Sequence, residues 1–278
     1  MKTKKGITYA VSIAITLLHI LPFYLLLTTS LKPVTDLSSK WRLPTKIDWS
    51  NFANAWEGAD LGRAFINNFV ITAFSLLIVI LLGSCAAYPL SRFQTKLNKS
   101  VYTVIIATLI VPPLTILVPL YQFYIDINGM NTYWGVILLH VTFSLPMAVF
   151  LYSGFIGTIP RELDEAAMID GLSRFRLFFT IILPLLKPIT ATVLIMTGIH
   201  VWNDYQFSVF FLQKVDMRTI TVALASFFGP NTNRISWVAA GSLMAALPAT
   251  LLYLFMQRWV HLRSRFWSGE RIERSGGK

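Results

Sequence analysis

The sequence predicts an all-α, polytopic membrane helix bundle of six transmembrane helices, with both termini cytoplasmic. Three observations predict it. Of the 278 residues, 55% are apolar and 13% charged, for a mean hydropathy of +0.60, well outside the habit of soluble domains. Uncharged runs recur that are long enough to cross a hydrocarbon layer, which takes about 20 residues at ~1.5 Å each. Basic residues gather in alternate connections between those runs, as expected where cytoplasmic loops retain them.

The first span is read at residues 6–31, after MKTKK. A cleaved signal peptide is the competing reading, but the run exceeds the usual core of about 7–15 residues and lacks a small-residue cleavage site. The second, third and sixth spans are read at 64–91, 100–125 and 235–257, none of which contains Asp, Glu, Lys or Arg. The fourth lies in the uncharged run 127–160, with its crossing at 133–156. The fifth, 185–207, is interrupted by Lys187, whose ammonium can snorkel to the headgroups from near one end. No repeat and no low-complexity linker divides the chain, so residues 1–278 are read as one transmembrane domain.

With the N-terminus inside, sixteen of the 24 basic residues fall in cytoplasmic segments, which carry net +10 against +1 outside. The formal +11 is thus an orientation signal and not a nucleic-acid footprint. Prolines in or beside the spans (Pro22, Pro89, Pro112, Pro113, Pro119, Pro146, Pro184, Pro188, Pro248) predict that several helices are bent or broken. Ordinary proline usage in membrane helices is the plainer alternative. The outer loop 32–63 carries Trp41, Trp49 and Trp56 and reads as a short ordered cap or a docking surface; interfacial tryptophans also occur without a partner. The lone Cys85 permits no intrachain disulfide and reads as a packing residue.

Between the fourth and fifth spans, DEAAMIDGLSRFR (residues 164–176) holds three acids and two arginines. Burying Asp164, Glu165 and Asp170 in hydrocarbon would cost about 2.5–3.5 kcal/mol each, so the stretch lies outside it. Its signals spell helix, turn, helix. Pro160 suits a first helical position, while Glu162, Asp164 and Glu165 complement the positive end of the dipole. Gly171 suits the left-handed C-cap and Ser173 an N-cap. Leu163, Ala166, Ala167 and Asp170 share one face, on which the alanines would admit another protein closely. Phe175, Phe178, Phe179 and Ile182 follow at helical spacing and are expected to pack on the inner ends of the bundle.

Glu165-Ala166-Ala167, three residues, Gly171, nine residues, Ile181, one residue, then Leu183-Pro184 resembles the EAA loop of ABC importer permeases. The wider segment from Glu162 to Pro188 resembles the carbohydrate-importer branch. Further similarity lies in INN (66–68), CAAYPLSRF (85–93), HVWNDYQF (200–207) and SWVAAGSLMAALP (236–248), so the likeness covers nearly the whole chain. It departs at the C-terminus, where Arg258-Trp259 is followed by VHLRSRFWSGERIERSGGK in place of a Gly-rich tail.

The resemblance implies a type I ABC importer permease-like bundle that forms a sugar or oligosaccharide pathway with a second permease subunit. It also implies an extracytoplasmic solute-binding protein and a separate ABC ATPase dimer that holds the ATP and magnesium. Consistent with this, no G-x-x-x-x-G-K-[ST] loop is present. The resemblance makes residues 160–188 the coupling loop, with Glu162, Asp164, Glu165, Ala166, Ala167, Asp170, Gly171, Leu183 and Pro184 coupling to the ATPase. Glu165 would orient the helix by charge or hydrogen bonding, the alanines set the approach, and Gly171 fix the turn. Membership implies a multi-pass protein of a prokaryotic cell membrane.

For a sugar pathway, rings stack on apolar sugar faces and amides satisfy hydroxyls, which singles out Tyr121, Gln122, Trp202, Asn203, Tyr205 and Gln206. Aromatic residues in membrane helices also serve as packing. The alternative transport class is an ion-gradient-driven secondary transporter, which wants ionisable groups at mid-membrane. His19, His140 and His200 are available, but the sequence offers them no evident acidic partner at the bilayer centre; His200 and Asp204 sit one turn apart near the surface. No H-E-x-x-H motif, paired cysteines or nucleophile elbow points to an enzyme, and no metal site is expected.

Overall fold

The computed structural model describes residues 2–229 and 232–267. In chain order the helices are α1 (Lys2–Ser30), α2 (Ser50–Gly58), α3 (Leu61–Arg92), α4 (Lys96–Ala107), α5 (Leu117–Asp126), α6 (Tyr133–Ile156), α7 (Glu162–Ile169) and α8 (Arg174–Leu177). After the π-helical turn Phe178–Ile182 come α9 (Leu183–Leu185), α10 (Lys187–Trp202), α11 (Ser208–Phe211), α12 (Ile220–Ala225) and α13 (Ile235–Trp267). A ribbon pairing Phe228 with Asn233 and Gly229 with Thr232 leaves the all-α class unchanged. Among the described residues, four helices are long and apolar enough to cross a membrane, or six spans if each of two bent pairs counts as one. The atypical tail after residue 267 lies outside the described residues.

Two of the expected spans need correction. The third is no straight helix: Lys96–Ile110 and Pro113–Asp126 meet at 92°. Pro112 and Pro113 supply no amide donors and Val111 is forced extended, so the helix cannot continue through them. The fifth bends by 73° between Arg174–Leu185 and Lys187–Trp202, around Pro184 and Pro188, and ends at Trp202 instead of 207. Pro22, Pro89, Pro146 and Pro248 lie inside α1, α3, α6 and α13 without ending them. Proline position alone therefore does not decide a break; the adjacent pair and the closely spaced pair do.

The chain divides into two compact units. The first takes residues up to Asn67 and Lys214–Pro248. The described side chains of α1 are mostly exposed, suiting a lipid-facing helix, until its last turn, where Thr28, Thr29 and Ser30 are buried. The buried Asn51 amide donates to Ser30 O (2.9 Å) and Lys32 O (2.8 Å), tying α2 to the end of α1. Lys32, also buried, donates to Ser38 Oγ (2.7 Å) and Ser39 O (2.8 Å) and pairs with Asp36 at 3.8 Å. The loop after α1 is thus ordered, and Trp41, Trp49 and Trp56 stay exposed on its surface and that of α2. Asn67 donates to the carbonyls of Asp216 (3.0 Å) and Arg218 (2.9 Å). Phe227 packs edge-on to Trp237.

The second unit takes Asn68–Gln213 and residues from Ala249 onward. Its core joins Val79, Ala87 and Tyr88 of α3, Val141, Ala148, Tyr152 and Ile156 of α6, and residues from Ala167 to Val193. A Cβ on Gly83 would come within 3.0 Å of Ala148 Cβ, so α3 and α6 approach as closely as small residues allow. Tyr152 donates to Thr190 Oγ1 at 3.0 Å, satisfying a buried hydroxyl between α6 and α10.

Candidate functional site

The site grows from α7 and the turn after it, all within the second unit. The helix begins at Glu162, two residues beyond Pro160, with Asp164 N and Glu165 N both donating to Arg161 O. It closes at Gly171, whose φ of +80° is the left-handed conformation expected for it. There Leu172 N donates to Ala167 O (3.0 Å) and Gly171 N to Met168 O (3.1 Å), satisfying carbonyls the helix leaves open. Ser173 caps α8 by accepting from Arg176 N at 3.4 Å.

Asp164 departs from its expected role. It is not a solvated dipole partner: it is buried, with Oδ2 2.8 Å from Arg92 Nη2 and Oδ1 accepting from Tyr88 Oη at 2.8 Å. Arg92 Nη1 also donates to Ile159 O at 2.9 Å. One side chain of α3 thereby holds both the start of the loop and the helix inside it. Removing one partner of such a buried pair leaves the other charge uncompensated, at a cost of roughly 3–5 kcal/mol. Nearby, Tyr88 tilts against Phe178 (5.4 Å between centroids) and Arg174 stacks over Phe93 (4.8 Å).

Ala167 is corrected in the same way: it is buried in the unit's own core, while Ala166 is exposed. A helix lying on the bundle must turn one face inward, and positions 164 and 167, three apart, form it. What α7 presents outward is Glu162, Leu163, Glu165, Ala166, Met168, Ile169 and Asp170, with Ile169 85% exposed. Phe175 (73% exposed) extends that surface, whereas Phe178 and Ile182 pack inward as expected. Leu183 is half-buried and Pro184 exposed, beside the bend.

Of the six pathway candidates one is buried and five are exposed or half-buried. Trp202 is buried, and its carbonyl accepts from Asn68 Nδ2 at 3.0 Å. Asn203 and Tyr205 are exposed, Gln206 is half-buried, and Asn203 Nδ2 donates back to Ile199 O. Tyr121, half-buried, accepts from Gln213 Nε2 at 3.1 Å and leans on Phe211, with Gln122 exposed beside it.

Sequence reasoning missed two groups. Tyr88 and Arg92 stand one helical turn apart in CAAYPLSRF, a spacing that puts them on one side of α3, but nothing in the sequence gave them a shared partner 76 and 72 residues on. It also missed an acidic neighbour for His140, whose Nε2 lies 3.7 Å from Asp204 Oδ2; the same carboxylate accepts from Phe207 N, Ser208 N and Ser208 Oγ. Among the described residues no group of three or more His, Cys, Asp or Glu could hold a metal.

Residues 59–266 match the family of binding-protein-dependent transport system inner membrane components. The chain belongs to this family. It is therefore a multi-pass membrane permease subunit of the ABC importer type and not an enzyme. Similar chains include the melibiose/raffinose/stachyose import permease protein MelC of Bacillus subtilis (strain 168), 53% identical, with 87% of this permease and 88% of that one covered. The probable starch degradation products transport system permease protein AmyC of Thermoanaerobacterium thermosulfurigenes is 34% identical over 88% and 90%. A solved chain from a bacterial ABC transporter involved in the import of alginate matches the fold with a TM-score of 0.79 at 20% identity, covering 91% of this permease and 95% of that chain.

Proposed function

We propose that this permease carries a sugar or oligosaccharide through a pathway shared with a second permease subunit, fed by an extracytoplasmic solute-binding protein. A separate ABC ATPase dimer, holding ATP and magnesium, drives it by contact with α7. The exposed face of α7, short, apolar at Leu163, Met168 and Ile169 and anchored on its other face, is the observation that carries this reading. The EAA spacing in the sequence and the named substrates of its relatives support it. The basic loops support placement in the prokaryotic cell membrane with both termini, α7 and residues 160–188 on the cytoplasmic side.

In this reading nucleotide binding closes the ATPase dimer, the closing dimer displaces α7, and the bundle shifts between inward and outward openings, a two-state equilibrium biased through one contact. Gly171 fixes the angle at which α7 is offered, and Glu165 and Ala166 meet the ATPase. Asn203, Tyr205 and Gln206 near the end of α10, with Gln122, are the exposed or half-buried groups suited to sugar hydroxyls and faces.

The test is reconstitution of the permease with its ATPase, second permease and binding protein in liposomes, with raffinose and a maltodextrin as probes. Uptake should require ATP and all four components and persist when ionophores collapse ion gradients. Uptake by the permease alone, abolished by an ionophore, would reinstate an ion-gradient-driven secondary transporter.

A further inference from the structure

We infer that Arg92 and Tyr88, on α3, are positioning residues for energy coupling: they lock α7 to the end of α3 so that displacement of the one is passed to the other. The inference rests on the reading of α7 as the ATPase contact. It begins with how little else fixes α7. The helix has eight residues and is followed by the left-handed turn at Gly171. Inward it offers the core one small side chain, Ala167. Apolar contact is non-directional, so that surface alone would let the helix slide or roll when pushed.

The polar contacts resist this. Asp164 is held by an ion pair from Oδ2 to Arg92 Nη2 and by a hydrogen bond that Oδ1 accepts from Tyr88 Oη, each at 2.8 Å, so its two oxygens are tied to two different side chains of α3. Arg92 spends a second nitrogen on Ile159 O, so the guanidinium spans the chain on entry to the loop and the helix within it. Arg92 and Asp164 are both buried, so slipping the pair exchanges protein contacts for unpaired buried groups and not for water. On the receiving side, α3 is an unbroken helix of 32 residues. A push on α7 is thereby delivered to the end of a long continuous helix.

The experiment uses the assembled transporter in liposomes. Uptake of the oligosaccharide that the wild-type complex transports, ATP hydrolysis and retained ATPase subunit are measured on the same preparations. Asp164→Asn, at near-constant volume, and Arg92→Gln, with a shorter neutral side chain, each remove the charge pairing. Both should retain the ATPase subunit while uptake per ATP falls about tenfold, and Tyr88→Phe, which deletes one hydrogen bond, should lose about threefold. The exchanged pair, Arg92→Asp with Asp164→Arg, should recover part of what either single change loses, which a merely structural role for each residue would not produce.

Wild-type uptake per ATP in the three single variants would overturn the inference. So would loss of the ATPase subunit from them, which would put Asp164 in the docking contact itself. If the charge variants do not assemble, Tyr88→Phe and the exchanged pair decide, and unchanged coupling in the first or no recovery in the second overturns it. Failure of the underlying reading looks different: the wild-type complex itself would retain no ATPase.

Discussion

Gly171→Val isolates the geometry of the turn after α7 from its packing. A Cβ built on Gly171 meets nothing within 4 Å, so a side chain there clashes with nothing in the chain and the whole cost is backbone conformation. At φ +80° an L-residue is about 1–2 kcal/mol worse than in its ordinary region, with valine at or above the upper end and asparagine well below the lower. A penalty of about 2 kcal/mol, if the turn relaxes to escape it, reduces the fraction of permeases offering α7 at the productive angle by roughly thirtyfold. Alanine, at about 1 kcal/mol, gives roughly fivefold. Because the turn is exposed, the melting temperature of the detergent-purified permease should barely move. Raffinose or maltodextrin uptake per ATP hydrolysed should then rank Gly, Asn, Ala, Val. Equal damage from Asn and Val would refute the conformational argument and point to steric exclusion by a partner; unimpaired Val would refute the need for the turn.

Adjacent alanines should answer oppositely to enlargement. Ala166→Leu should leave thermal stability unchanged and weaken retention of the ATPase, while Ala167→Leu should lower stability by about 1–3 kcal/mol through overpacking, read by thermal melting in detergent. In the loop after α1, hydrogen bonds from Ser38 hold the Asp36 carboxyl below its ordinary range, with Lys32 adding a weaker pull. A lowered pKa contributes order that is complete above the unfolded value near 4 and lost as pH falls through the folded value. Hydrogen exchange at Ser38 should therefore stay protected, after correction for intrinsic rate, from pH 8 to 5 and lose protection only below about 4; loss between 6 and 5 would exclude Asp36 as the cause.

Much of the fold was legible because lipid imposes a coarse rule. The crossing read at 133–156, inside the uncharged run 127–160, coincides with α6 residue for residue. The third and fifth spans were legible as lengths but not as shapes, because a proline pair tells that a helix is disturbed without giving the angle at which neighbours re-satisfy it. In the turn after α7, Gly171 and Ser173 were readable because their roles are local, set by φ and by a cap. Asp164 and Ala167 were not: which side of a short amphipathic helix faces inward depends on a tyrosine and an arginine more than 70 positions earlier. Trp202 failed for the same reason, its burial being decided by packing that no local pattern records.

The central claim, that α7 lies on the bundle by one face and meets an ATPase with the other, is tested most directly by a crosslinking scan. Single photo-crosslinking residues are placed at each position from 162 to 170 in the working transporter. Capture of the ATPase subunit from 162, 165, 166 and 169, with capture of the permease's own chain from 164 and 167, is the predicted result. Capture of the ATPase from 164 and 167 but not from 166 and 169, or no capture of it at any position, would contradict the account.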